Sequence, residues 1–112
     1  MQLSFKNADL HALCHDERLL RKRFGEKGRK KIRQRLDDFD AADNLAVIGR
    51  LPGARCEELK GAQAGRYSVR VHDGFRIVFV PDHDPVPRKD DGGVNWSAIT
   101  AIRIQSIEDY HD

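Results

Sequence analysis

The sequence predicts an α+β fold in which N-terminal helices pack on one face of a small, mainly antiparallel, twisted sheet. Three observations carry this. Apolar residues at helical spacing are confined to the first half of the chain, and strict two-residue alternation dominates the second half. Segregated helices and strands imply α+β rather than α/β. His72-Asp73-Gly74 joins two adjacent alternating runs, which makes those strands antiparallel neighbours. At 112 residues the chain is expected to form a single domain, 1–112, with one modest core.

The elements follow in order. Gln2 to Lys6 alternates Leu3 and Phe5 with polar neighbours and reads as a short first strand. Asn7 is placed to cap a helical turn carrying Leu10, Leu13 and Cys14, and Asp16 to cap a helix through Leu19, Leu20 and Phe24. Gly25 ends or kinks that helix. A further helix from about Glu26 to Ala42 sets Ile32, Leu36 and Phe39 on one face, with Arg29, Lys30, Lys31, Arg33 and Arg35 on the others. Asn44 to Leu51 reads as a last helical turn, broken by Pro52-Gly53. Ala54 to Leu59 reads as a strand, and Gly61 to Gly65 as a loop. The stretch from Pro81 to Gly93, rich in proline and glycine, is a loop insertion, and Trp96 packs where it rejoins the body. Ala98 to Gln105 is a strand with Ile102 and Ile104 on one face; Ile107 breaks that phase, so a bulge or strand end falls near Ser106.

The hairpin from Arg66 to Val80 can be given a register. Directly opposed residues share a face of a sheet. A two-residue turn would set Val71 against Arg76 and mix the faces. A three-residue loop sets Val71 against Phe75, Val69 against Ile77 and Tyr67 against Phe79, so that all six apolar groups face one way. Gly74 then takes the left-handed position. The other side brings Arg70 against Arg76, with Ser68 and Arg66 nearby, and is expected to be open. Such a row is either a solvated face or an anion-binding face; arginine suits phosphate because its planar fork offers paired donors under a permanent charge.

Composition narrows the classes. The chain is 39% apolar and 34% charged, typical of a highly charged globular protein. No run approaches the ~18 apolar residues of a membrane span, and the N-terminus lacks a signal-peptide core, so a cytoplasmic location without membrane contact is expected. Cys14 and Cys56 are far apart with no Cys-x-x-Cys spacing, and reduced structural thiols are expected. Net charge is +2, but ten Lys/Arg and one acid, Glu26, lie between Arg18 and Arg35, followed by Asp37, Asp38, Asp40 and Asp43. That block is either a solvated helix surface or a polyanion contact. Asp82-His83-Asp84 converges poorly for a metal, so no metal and no cofactor is expected.

Four stretches resemble the HigB branch of the RelE/ParE toxins: Pro52 to Gly61, containing Leu59-Lys60-Gly61; Gly65 to Val69; the Arg76 strand, Phe75 to Phe79; and the terminal Ile107 to His111. The resemblance spans about Leu3 to His111. The insertion and Trp96 resemble a subset of the branch, some of whose members carry the label "killer suppression protein". The resemblance implies a toxin of a type II toxin–antitoxin pair that cuts mRNA in the ribosomal A site. It implies a helix-turn-helix (HigA-like) antitoxin as partner, and operator DNA contacted only through that antitoxin. Metal-free RNA cleavage lets the 2′-OH attack the adjacent phosphate. It needs a base, a donor for the leaving oxygen and cations for the developing charge.

By resemblance, Asp109, Tyr110 and His111 form the terminal catalytic group, with His111 as acid or base and Asp109 orienting it. Lys60 and Arg76 stabilise the phosphorane. Arg66 and Arg70 hold substrate phosphate, and Arg29, Lys30 and Arg33 meet rRNA. Glu57 stands where family members usually carry His; a carboxylate can serve as the general base but donates a proton only if its pKa is raised. Two other readings remain: a toxin of this fold with a protein target such as gyrase, and an attenuated toxin kept as an antitoxin-binding partner.

Overall fold

The computed structural model describes residues 1–110. The chain runs β1 (Gln2–Phe5), α1 (Ala8–Cys14), α2 (Glu17–Ala41), α3 (Leu45–Gly49), β2 (Glu57–Glu58), β3 (Tyr67–Arg70), β4 (Phe75–Pro81) and β5 (Ala101–Asp109). Short 3₁₀ turns lie at Gly61–Gln63 and Trp96–Ala98. The five strands form one sheet in the order β1-β5-β4-β3-β2, antiparallel throughout except for β1 beside β5. This is the α+β arrangement the segregated patterns predict.

Local chemistry accounts for the helices. The Asn7 side chain accepts from the Leu10 N–H at 2.9 Å, and Asp16 from Arg18 and Leu19 at 3.0 and 3.2 Å. Each satisfies donors that a helix start leaves orphaned, worth about 1 kcal/mol per cap. Gly25 (φ 75°, ψ 174°) breaks the axis of α2, a backbone state that disfavours any side chain. Beyond the break, Ile32, Leu36 and Phe39 are buried against the sheet, where Phe39 meets Phe79 edge-on at 5.1 Å. Tyr67, Val69, Ile77, Phe79, Ile102 and Ile104 supply the sheet's side of this core. Each such side chain contributes roughly 1.5–3 kcal/mol when fully buried.

The hairpin register is as expected: Tyr67 pairs with Phe79, Val69 with Ile77 and Arg70 with Arg76. Gly74 lies at φ 81°, and Asp73 also adopts a left-handed φ of 52°. The bulge falls where Ile107 indicated. Phe79 faces Ile104 but Val78 faces Ser106, leaving Gln105 as the extra residue. Trp96 packs edge-on against Tyr67 at 5.4 Å, where the insertion rejoins the body.

Several expectations are corrected. The strand from Ala54 to Leu59 shrinks to Glu57–Glu58, because Arg55 turns left-handed (φ 47°) and lifts the chain out of the ladder. The last strand starts at Ala101 and runs to Asp109, the residues before it forming a 3₁₀ turn. Arg35 leaves the solvated set. It is 6% exposed and donates to the Arg70 carbonyl at 2.9 Å and to Asp38 at 3.0 Å. The face behind the hairpin is not open throughout: Ser68 and Val78 are buried there, and Gln63 reaches Glu108 across it at 3.4 Å.

Candidate functional site

Strand register builds two rows across that face. Glu57, Ser68, Val78 and Ser106 form one, and Arg70, Arg76 and Glu108 the next. Opposed arginines on neighbouring strands repel, at a cost of up to ~1 kcal/mol, and the C-terminal stretch relieves this. Because β5 runs on to Asp109, and the Tyr110 N–H donates to the Gly74 carbonyl at 3.0 Å, Tyr110 is carried beside the hairpin. Its hydroxyl accepts from Arg70 Nε at 3.0 Å, and its ring lies 5.4 Å from the Arg76 guanidinium carbon. Tyr110 thus engages both cations.

Arg76 has a second anchor. Its Nε and Nη2 donate to Glu108 Oε1 at 3.2 and 2.8 Å, while Ser106 Oγ donates to Glu108 Oε2 at 3.0 Å. Partial burial pushes the Glu108 carboxyl pKa up. Hydrogen bonds from Arg76, Gln63 and Ser106, with the charge of Arg76, outweigh that and hold it below the ordinary value. Glu108 is therefore an ionised, fully engaged brace.

Arg55, Glu57, Ser68, Arg70, Arg76 and Tyr110 line one cavity of about 200 Å3. Of the candidate residues, Glu57, Arg70, Arg76 and Tyr110 are thus brought together from four separate segments. Lys60 is exposed at the start of the Gly61–Gln63 turn, and Arg66 precedes β3; neither lines the cavity. Asp109 pairs with Phe75, which sets it in the helix-side phase of the sheet. His111 lies outside the described residues. Such a cavity can bind an anion through arginine, accept a proton at Glu57 and donate a hydrogen bond from Tyr110.

The helix candidates lie elsewhere. Arg29 is paired with Glu26 and with Glu17, the latter at 3.2 Å, and the Arg29 hydrogen bond holds the Glu26 carboxyl below its usual range. Arg33 pairs with Asp37 at 3.3 Å and donates to the Cys14 carbonyl. Lys30 lines a shallow hollow with Lys27, Lys31, Gln34 and His72. Burial pushes the Cys14 and Cys56 thiols up to about 11 and about 12, and both are free. In the insertion, Asp82 accepts from Arg103, and His83 Nε2 accepts from the Thr100 N–H at 3.0 Å. Another hollow, of about 940 Å3, lies between β1, α1 and α2 around Phe5, His11 and His15, and shares no residue with the arginine cavity. No helix among the described residues is long and apolar enough to cross a membrane.

Sequence reasoning missed Arg55 and Glu108. Glu108 carried a signal, since it stands within the terminal run, but its alignment with Arg76 depends on the bulge at Gln105. Arg55 carried none, because its left-handed backbone removes it from any strand phase.

A helical layer on a five-stranded, mostly antiparallel sheet matches a toxin fold already seen in solved structures. Three solved structures of that fold are similar to this chain. A YoeB/ParE toxin from Agrobacterium tumefaciens is 15% identical, with 99% of this chain and 100% of that one aligned at a TM-score of 0.54. The YoeB-YefM complex from Staphylococcus aureus is 20% identical, covering 100% and 98%, at a TM-score of 0.53. The YoeB dimer from Staphylococcus aureus is 21% identical, covering 100% and 98%, at 0.52. These likenesses show the fold. No protein-family model and no curated protein matches the sequence.

Proposed function

We propose that the protein is the toxin of a type II toxin–antitoxin pair, of the HigB kind, and cleaves mRNA on the ribosome in the cytoplasm without a metal. One observation carries this reading: Glu57, Arg70, Arg76 and Tyr110 meet in one cavity. In the proposed reaction Glu57 takes the proton of a ribose 2′-OH. The 2′-oxygen forms a bond to phosphorus and the bond to the 5′-oxygen breaks, leaving a 2′,3′-cyclic phosphate and a 5′-hydroxyl. Arg76, braced by Glu108, meets the charge that grows on the phosphoryl oxygens. Arg70 holds substrate phosphate and Tyr110 orients both arginines or stacks on a base. His111, next in the chain, protonates the leaving oxygen; Asp109, in the helix-side phase, is not carried over as its orienting partner. Lys60 and Arg66, close by in sequence, extend the cationic surface along the RNA, and Lys30, in its basic hollow, contacts rRNA phosphate together with Arg29 and Arg33. The partner is a helix-turn-helix, HigA-like antitoxin; one structural neighbour is itself a toxin complex, YoeB-YefM.

Purified ribosomes and a defined mRNA test the reaction. Ribosome-dependent cuts are expected, lost with His111→Ala while antitoxin binding persists; an intact message under saturating protein would sink the reading. A second reading, an attenuated toxin kept for antitoxin binding, is favoured by Glu57 in place of histidine and by Lys60 lying outside the cavity lining. Cleavage gained only on Glu57→His would select it.

A further inference from the structure

Resting on that reading, we infer that Arg55, with Ser68 and Arg70, forms the cradle that holds a backbone phosphate of single-stranded RNA, apart from the braced Arg76. Three observations converge. Arg55 is a non-glycine residue at φ 47°, a state that costs roughly 1–2 kcal/mol and persists only where the surroundings hold it. They do: Ala54 is fully buried, and its carbonyl accepts from the Arg70 N–H at 2.7 Å, fastening the strained turn to the cavity wall. The strained turn thus places Arg55 on the lining of a hollow that also holds Arg70 and Arg76.

The second observation is charge. Among the described residues Arg76 is paired with Glu108, but no carboxylate lies within ion-pairing distance of Arg55 or Arg70. Arg70 donates to the Tyr110 hydroxyl, a neutral acceptor. Three arginines and one carboxylate, Glu57, line the cavity, and Arg76 is already paired with Glu108, so Arg55 and Arg70 leave a net positive charge there that an anion would offset. The third is Ser68. Its side chain is buried, in the row of Glu57, yet borders the cavity, offering a hydroxyl donor at the floor. At about 200 Å3 the cavity is smaller than the ~300 Å3 lower bound for small-molecule sites. It suits one charged group of a longer chain.

The test compares wild type, Arg55→Gly, Arg55→Lys and Ser68→Ala in ribosomal mRNA cleavage and in binding of a 2′-deoxy-blocked oligoribonucleotide followed by fluorescence anisotropy. Glycine accepts φ 47°, so Arg55→Gly should fold with an unchanged or higher Tm while KM and Kd rise about tenfold, the size of one charge-assisted contact. kcat should hardly move, and the salt slope of binding should fall by about one. Arg55→Lys should recover part of the affinity, and Ser68→Ala should lose a few-fold. Wild-type KM and Kd in Arg55→Gly would overturn the cradle, as would failure of that variant to fold, which would give Arg55 a structural role. If wild type binds the oligonucleotide through Arg55 but cuts no message, the cleavage reading fails and the cradle stands.

Discussion

Helix α2 and the far face of the sheet are both rich in arginine, but they treat their charge differently. On α2, Arg21 and Arg29 meet Glu26, Arg33 meets Asp37 and Arg35 meets Asp38. On the sheet, Arg70 is opposed by another arginine, and neither it nor Arg55 forms an ion pair among the described residues, although Glu57 lines the same cavity. The acidic run after the basic block explains the first case, since Asp37 and Asp38 lie one helical turn from Arg33 and Arg35. The contrast holds for the arginines named, since Lys27, Lys30 and Lys31 on α2 form no ion pair among the described residues and Arg76 on the sheet is braced by Glu108; on the proposed reading the unpaired Arg55 and Arg70 are the ones left for an anion. The two regions should therefore fail in different ways when their arginines are removed.

The largest effect belongs to the sheet. Arg76→Ala should lower ribosomal cleavage by about 10²–10³-fold, the usual result of removing one donor to a developing oxyanion. Far-UV circular dichroism should show the fold retained. The converse belongs to the helix. Arg35→Ala leaves the Arg70 carbonyl without its side-chain donor and removes the ion-pair partner of the half-buried Asp38, which keeps only its Gln34 hydrogen bond, and should cost about 2 kcal/mol in urea unfolding. Cleavage per folded molecule should be nearly unchanged. Loss of activity in Arg35→Ala without loss of stability would erase the contrast between the regions.

The fold was largely legible because its signals are local and redundant. Asn7, Asp16 and Gly25 punctuate the helices by side-chain chemistry, and the phase of six apolar residues admits one hairpin register. The site was less legible because it depends on long-range alignment. Arg70 against Arg76 followed from the hairpin, but Glu108 against Arg76 needed the extra residue in β5 to be located. Arg35 could not be told from its basic neighbours: its burial is decided by the Arg70 carbonyl, 35 residues away. Arg55 depends on a backbone state that apolar periodicity does not report.

Glu108 offers a smaller effect with a pH signature. Its folded pKa is depressed below the ordinary 4.5, so its contribution is fully present above that value and is lost as pH falls through the folded value. Glu108→Gln keeps the shape and removes the charge. The stability difference from wild type should be no more than about 1 kcal/mol at neutral pH, because solvent screens a partly exposed pair. It should then close as pH drops below 4.5. A difference that stays constant down to pH 3 (roughly one unit under the reference Glu value) would mean that the brace acts by hydrogen-bond shape rather than charge.

The smallest effects sharpen the comparison most. Arg29→Ala removes the partner of Glu17 and Glu26, and Arg33→Ala the partner of Asp37, all on the surface, so each should change stability little in urea unfolding. If compensation governs binding, these variants should also change ribosome affinity less than Lys30→Ala, whose side chain borders the lysine hollow. The salt dependence separates the cases. Lys30→Ala should reduce the slope of log affinity against log salt by about one, and the arginine variants by less. Equal slopes for all three would show that the acids on α2 yield their arginines to RNA on contact. The helix would then belong to the binding surface as fully as the sheet.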